Sequence, residues 1–111
     1  MVEKLIIYQK AYESYKYTFN MLKNFPKSEK FTLASEISSN YYQIFRLIIR
    51  ANRKKVKSFE LFEIDTELKI LQLNIRLGFE LQFMNDKQYE IISKHLEEIG
   101  RILGGWIKST G

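Results

Sequence analysis

Cysteine is absent from this 111-residue sequence, proline occurs once and histidine occurs once. The lack of cysteine excludes a disulfide framework, a thiolate nucleophile and zinc bound by cysteine. A di-iron helical bundle needs a Glu-x-x-His pair on two helices, which a single His95 without an acidic residue three positions before it cannot supply. No nucleophile and base pair and no glycine-rich phosphate loop stands out. We therefore expect no catalytic residues, no metal and no cofactor, and a protein that is not an enzyme.

Long apolar runs are also missing, because no window approaches the ~20 apolar residues that a membrane span needs. The N-terminus has no basic segment followed by an apolar stretch, which a secretory signal requires. These features predict a cytoplasmic protein that does not enter a membrane. With 45% hydrophobic and 28% charged residues, residues 1–111 have the composition of one globular domain.

The sequence favours helices over strands, since glycine totals only 5 and no alternating β pattern occurs. Apolar residues at spacings of three and four predict helices over about 5–24, 33–52, 59–84 and 86 to near the C-terminus. Thr32, Ser58 and Asn85 are the expected caps, and Gln88 completes a capping box with Asn85. Four helices of this length with short connections predict an all-α, antiparallel four-helix bundle.

The first helix places aromatic residues on one face, and we expect this face to pack in the core. Base stacking is the less favoured interpretation of these rings. The residues concerned are Tyr8, Tyr12, Tyr15 and Phe19, followed by Leu22.

The third helix carries two apolar stripes, and one bundle position needs only one of them. The first stripe is predicted to face the protomer core, and the second predicts self-association, because a soluble monomer rarely exposes a long apolar strip. The alternative is that the bundle wraps this helix on two sides. The first stripe comprises Leu61, Ile64, Leu68, Leu71 and Ile75, and the second comprises Ile70, Leu73, Leu77, Leu81 and Met84.

Glycines in the fourth helix support the same interpretation. Gly100 and Gly104 lie four residues apart and favour close approach by another helix, with Trp106 as the anchor. The predicted oligomer interface therefore consists of Ile70, Leu73, Leu77, Leu81, Gly100, Gly104 and Trp106.

Positive charge is concentrated around the end of the second helix. Residues 37–59 contain six basic residues and no acidic one, whereas the other 12 basic and 13 acidic residues leave −1 of the net +5. A continued helix would align Arg46, Arg50, Arg53 and Lys57 along phosphates. A solvated helix end with cations near the negative end of the dipole is the alternative. The predicted nucleic-acid surface comprises Arg46, Arg50, Arg53, Lys54, Lys55 and Lys57.

Three segments together resemble the accessory variability determinant (Avd) proteins of diversity-generating retroelements. They are Phe25–Leu33, Gln88–Glu90 and the closing Ile99–Ser109 with its Gly-Gly-Trp motif. Avd proteins belong to a wider group of four-helix proteins that includes those encoded in intervening sequences of 23S ribosomal RNA genes.

The resemblance implies a basic, ring-shaped homopentamer that binds the reverse transcriptase of its element and RNA or DNA. It also implies a role in mutagenic retrohoming, in which template RNA is copied into mutated cDNA that replaces part of a target gene. In the third helix, Lys69 and Arg76 extend the nucleic-acid surface that the resemblance implies.

Two other interpretations remain open. A protein of the ribosomal intervening-sequence type would have a similar bundle and an rRNA-related or unknown role. A helical enzyme or small-molecule binder would need a buried polar constellation, which the sequence does not reveal.

Overall fold

Four α-helices and one short 3-10 helix make up the part of the chain described by the computed structural model, namely the backbone of residues 2–110 and the side chains of residues 6–110. The α-helices are α1 (Val2–Leu22), α2 (Leu33–Asn52), α3 (Ser58–Glu80) and α4 (Asp86–Thr110), and the 3-10 helix spans Lys27–Glu29. Residues 2–110 contain no β-strand.

Consecutive helices pack side by side, and α4 closes the arrangement against α1. Across the diagonals, α1 and α3 do not meet, and neither do α2 and α4, within the described residues. Short connections between helices this long make neighbours antiparallel, and the bundle measures 43 × 24 × 19 Å. The predicted antiparallel four-helix bundle is confirmed.

Helix boundaries follow local capping chemistry. At the start of α4, the Gln88 backbone N–H donates to Asn85 Oδ1 at 2.7 Å and the Asn85 N–H donates to Gln88 Oε1 at 2.9 Å, so the predicted capping box is confirmed. Thr32 occupies the N-cap of α2, but its hydroxyl donates to Glu29 Oε1 instead of capping the helix. The N-cap of α3 is Lys57, and Ser58 is already helical.

The end of α3 was predicted four residues too late. Gln82 has φ 68°, the Phe83 N–H donates to the Gly78 carbonyl at 2.9 Å, and the Gln82 N–H donates to the Phe79 carbonyl at 3.0 Å. These two bonds form a Schellman motif around a left-handed residue, and they end the helix at Glu80. Apolar side chains continue to Met84, so periodicity alone extended the helix too far.

The predicted core face of α1 is wrong for its aromatic residues, although Leu22 is buried as expected. Tyr8, Tyr12 and Phe19 are 42% to 48% exposed, and Tyr15 is half-buried. The residues that face the core are smaller, with Ile7, Ala11, Ser14, Thr18 and Met21 all buried.

A buried hydroxyl cluster explains this choice of face. The Tyr41 hydroxyl of α2 lies 2.8 Å from Ser14 Oγ and 2.9 Å from Thr18 Oγ1, and all three residues are fully buried. Small polar residues on α1 leave space for the Tyr41 ring and satisfy its hydroxyl, which a tyrosine face would not do. Burial raises the pKa of Tyr41 to about 12, although the hydrogen bonds from Ser14 and Thr18 oppose the shift.

Candidate nucleic-acid and protein interfaces

Four exposed cations remain from the predicted basic run. Arg46 and Arg50 project from α2, Arg53 is the C-cap of that helix, and Lys55 follows in the connection to α3. Within residues 6–110, none of the four lies within 4 Å of a carboxylate. Cations without partners are available to phosphates, so these four form the candidate phosphate-binding surface.

The other two cations of the run have partners within the protomer. Lys54 Nζ binds Glu60 Oε2 at 2.8 Å, and Glu60 is 6% exposed. This hydrogen bond, together with the charges of Lys54 and Arg50, lowers the pKa of the Glu60 carboxyl against the effect of burial.

Lys57 is 8% exposed, and its Nζ lies 6.0 Å from the centre of the Trp106 ring. The helix ends at Asn52, so the connection folds back and Lys57 does not align with the arginines as predicted. Most of the Lys57 side chain therefore packs against the protomer, with its ammonium over an aromatic ring.

Lys69 and Arg76 of α3 are exposed, but both are paired within their own helix. Lys69 Nζ lies 3.0 Å from Asp65 Oδ1, and Arg76 Nε lies 2.9 Å from Glu80 Oε2. The hydrogen bond and charge of Glu80 raise the pKa of Arg76. Phosphate would have to compete with these carboxylates for the two cations.

An apolar strip, interrupted by the exposed Thr66, follows the outer side of α3, and we call it the α3 strip. Its residues recur at helical spacing, are 40% to 68% exposed, and extend over about 33 Å at 1.5 Å per residue. The α3 strip comprises Phe59, Phe62, Ile70, Leu73, Leu77 and Leu81.

Four of these six residues were predicted from the sequence, and Phe59 and Phe62 were not. Phe62 lies eight residues, or two steps of four, before Ile70, and Phe59 lies three residues before Phe62. This helical spacing is the signal that would have found them. Met84, which was assigned to this stripe, is buried. The first stripe, from Leu61 to Ile75, is buried as predicted.

Trp106 and the α4 glycines differ in how accessible they are to a neighbouring copy. Trp106 is fully buried in the protomer core, which contradicts its predicted role as an anchor between copies. A Cβ on Gly100 would lie 3.6 Å from Leu68 of α3, whereas a Cβ on Gly104 would meet nothing within 4 Å. Of the two glycines in the predicted interface, Gly104 therefore presents open backbone to a neighbour and Gly100 does not, and the adjacent Gly105 is open in the same way.

Within the described residues, no three His, Cys, Asp or Glu side chains converge to hold an ion. His95 packs edge-on against Tyr17, with ring centres 5.9 Å apart. No helix in this part of the chain is both long enough and apolar enough to cross a bilayer.

The chain is similar to known proteins in sequence and in fold. A family model described as bAvd-like matches residues 5–110, whereas no curated protein matches the chain. Among solved structures, the chain is similar to a protein of unknown function from the S23 ribosomal protein family of Bacteroides thetaiotaomicron. The two share 20% sequence identity and superpose with a TM-score of 0.84, over 96% of this chain and 98% of the other. This likeness establishes a shared fold.

Proposed function

The chain belongs to the bAvd-like family, and from this membership we propose that it is a non-catalytic accessory protein of a diversity-generating retroelement. In this role it binds the reverse transcriptase of its element together with nucleic acid, and it supports the copying of template RNA into mutated cDNA. The observation that carries the proposal is the family match over nearly the whole chain. The exposed cations and the α3 strip supply binding surfaces of the kinds that the role requires.

Co-purification with the reverse transcriptase encoded beside this gene tests the proposal. The complex is then given the RNA of the element, and cDNA yield is measured with and without this protein. We expect stable association and a higher yield when the protein is present. If the proteins do not associate and the yield is the same, the assignment is wrong, and a role of the ribosomal intervening-sequence type becomes the better interpretation.

Nucleic-acid binding through the α2 cations is the second part of the proposal. Arg46, Arg50 and Arg53 are exposed and have no carboxylate within 4 Å among residues 6–110. Nothing in their placement reads base edges, so binding is electrostatic and weakly sequence-specific. Changing all three to Gln removes about three phosphate contacts. The slope of log affinity against log salt should then fall by roughly 2 to 3, at 0.7 to 0.9 per contact.

A charge-matched control separates this surface from general electrostatics. Changing Lys87, Arg101 and Lys108 of α4 to Gln removes the same charge from exposed positions elsewhere. Fluorescence anisotropy of a labelled oligonucleotide should then retain most of the slope. Equal losses in the two variants would contradict a localised phosphate surface. The variant Lys69→Gln/Arg76→Gln tests α3 in the same assay.

Self-association through the α3 strip is the third part, and the family resemblance favours a pentameric ring. The strip is aliphatic and aromatic, and it stays exposed after the protomer core is complete. Burying it against another copy removes apolar surface from water. Light scattering should therefore report a mass well above 13.3 kDa.

Leu73→Asp tests the interface, because Leu73 is 63% exposed in the protomer. A charge there leaves the core intact but is costly in an apolar contact, so the assembly should dissociate while helical content is kept. The control is Gln72→Asp, which adds the same charge at an exposed position off the strip. A monomeric native protein, or an unchanged mass for Leu73→Asp, would refute the interface.

A further inference from the structure

An exposed aromatic cluster crosses the outer face of α1 and α2. We call it the aromatic surface and define it by four rings that are 42% to 50% exposed: Tyr8, Tyr12, Phe19 and Tyr42. Tyr15 and Phe45 lie half-buried beneath these rings. The ring centres of Tyr15 and Tyr42 are 5.5 Å apart, and those of Tyr8 and Phe45 are 5.8 Å apart. Tyr8, Phe19 and Tyr42 each pack against one of the lower rings, and all four upper rings keep exposed surface that a ligand can contact.

Cations border the aromatic surface on the α1 side. Lys16 follows Tyr12 by four residues, with its Nζ 5.7 Å from the centre of that ring. Lys23 follows Phe19 by four residues, with its Nζ 5.2 Å from that ring. Residues four apart on a helix are neighbours on its surface, so each ammonium lies over the face of its own ring, and the two rings remain 47% and 48% exposed.

Arginines follow the rings on the α2 side. Arg46 comes four residues after Tyr42 and is its neighbour on the helix surface, and Arg53 lies two turns further, at the C-cap. After Glu36, α2 contains no acidic residue. The aromatic surface therefore has lysines on its α1 side and arginines along α2, and the arginines are two of those already assigned to phosphate.

We propose that the aromatic surface binds single-stranded nucleic acid by stacking bases on its exposed rings, while the bordering lysines and arginines contact the phosphates. This inference rests on the proposed nucleic-acid binding and specifies its ligand. Aromatic rings inside a cationic groove are the typical arrangement for single strands, because every base offers a flat π-face. In a duplex those faces are already stacked, so a duplex engages only the cations.

The dimensions suit a short segment of single strand. Tyr8 and Phe19 are 11 residues apart, which is about 17 Å along a helix. Stacked bases repeat at about 3.4 Å, so this length accommodates on the order of three to five nucleotides. Stacking would add affinity without adding sequence preference, in agreement with the weak specificity proposed above.

Abasic oligonucleotides separate stacking from electrostatics, because they keep the phosphates and lose the bases. We compare a ten-nucleotide single strand with its abasic equivalent at one salt concentration, using the full-length protein. The native protein should bind the base-bearing strand about tenfold or more tightly, since each stacked base contributes roughly 1–3 kcal/mol. Tyr12→Leu/Phe19→Leu should lose most of this preference and keep the salt dependence. The control Phe59→Leu/Phe62→Leu removes two exposed rings from the α3 strip and should keep the preference.

Each alternative outcome is distinct. Equal affinity for the two strands, with normal salt dependence, would overturn stacking and leave electrostatic binding in place. No binding of either strand would reject the proposed nucleic-acid binding and this inference with it. If Tyr12→Leu/Phe19→Leu changes the mass of the assembly but not the strand preference, the aromatic surface is a contact between copies and the inference is wrong.

Discussion

Removing the Tyr41 hydroxyl tests the packing that orients α1. Tyr41→Phe keeps the ring and its contact with Tyr15, whose ring centre is 4.9 Å away, but it breaks two buried hydrogen bonds. At a net 0.5–1.5 kcal/mol for each bond, the free energy of unfolding should fall by about 1–3 kcal/mol. Urea unfolding at neutral pH, followed by far-UV circular dichroism, measures the loss.

Combining the three changes of the hydroxyl cluster tests the hydrogen bonds more stringently than Tyr41→Phe alone. Tyr41→Phe leaves the hydroxyls of Ser14 and Thr18 buried without their partner, which costs more than removing all three polar groups together. The triple variant Ser14→Ala/Thr18→Val/Tyr41→Phe should therefore lose less stability than the three single changes added together. Additive losses, or a Tyr41→Phe protein as stable as the native one, would refute the account of the α1 core face.

Alkaline pH gives an independent measurement of the same group. The pKa of Tyr41 is raised to about 12 in the folded protein, against about 10 for a free tyrosine. Folding therefore favours the neutral phenol, and this stabilisation is complete below pH 10 and is lost as pH rises from 10 to 12. Two pKa units correspond to on the order of 3 kcal/mol. Tyr41→Phe should lack this alkaline loss, and parallel pH profiles for the two proteins would contradict the raised pKa.

Two further predictions concern the ends of α3. Gln82→Gly should raise the free energy of unfolding by up to about 1 kcal/mol in thermal or urea unfolding, because glycine adopts the left-handed conformation without strain; a loss would mean that the Gln82 side chain itself stabilises the turn. Lys54→Met should destabilise the protein at neutral pH by leaving Glu60 unpaired. Since the pKa of Glu60 is lowered by Lys54, the stability from this pair is present above the ordinary carboxyl pKa near 4.5 and is lost as pH falls below it. The two proteins should therefore converge in acid, and a constant difference between them would exclude the ion pair as the cause.

Local patterns in the sequence determined the four helices, the Asn85–Gln88 capping box and the two stripes of α3. These features depend on residues three or four positions apart, so neighbouring residues carry enough information to predict them. The first stripe is buried as predicted, and four of the five residues of the second are exposed, whereas Met84 is buried. The concentration of positive charge around the end of α2 was likewise visible from composition.

Tertiary structure alone decided which face of α1 is buried and which cations remain available. Tyr41 bonds to Ser14 and Thr18 across 27 and 23 residues, and these partners made a small polar face the better core than a row of tyrosines. Lys57 is drawn over Trp106, which is far away in the sequence, and Lys54 turns toward Glu60 once the helix has ended. Helical periodicity records which residues share a face, but burial depends on what the opposite helix presents to that face, and that information lies elsewhere in the chain.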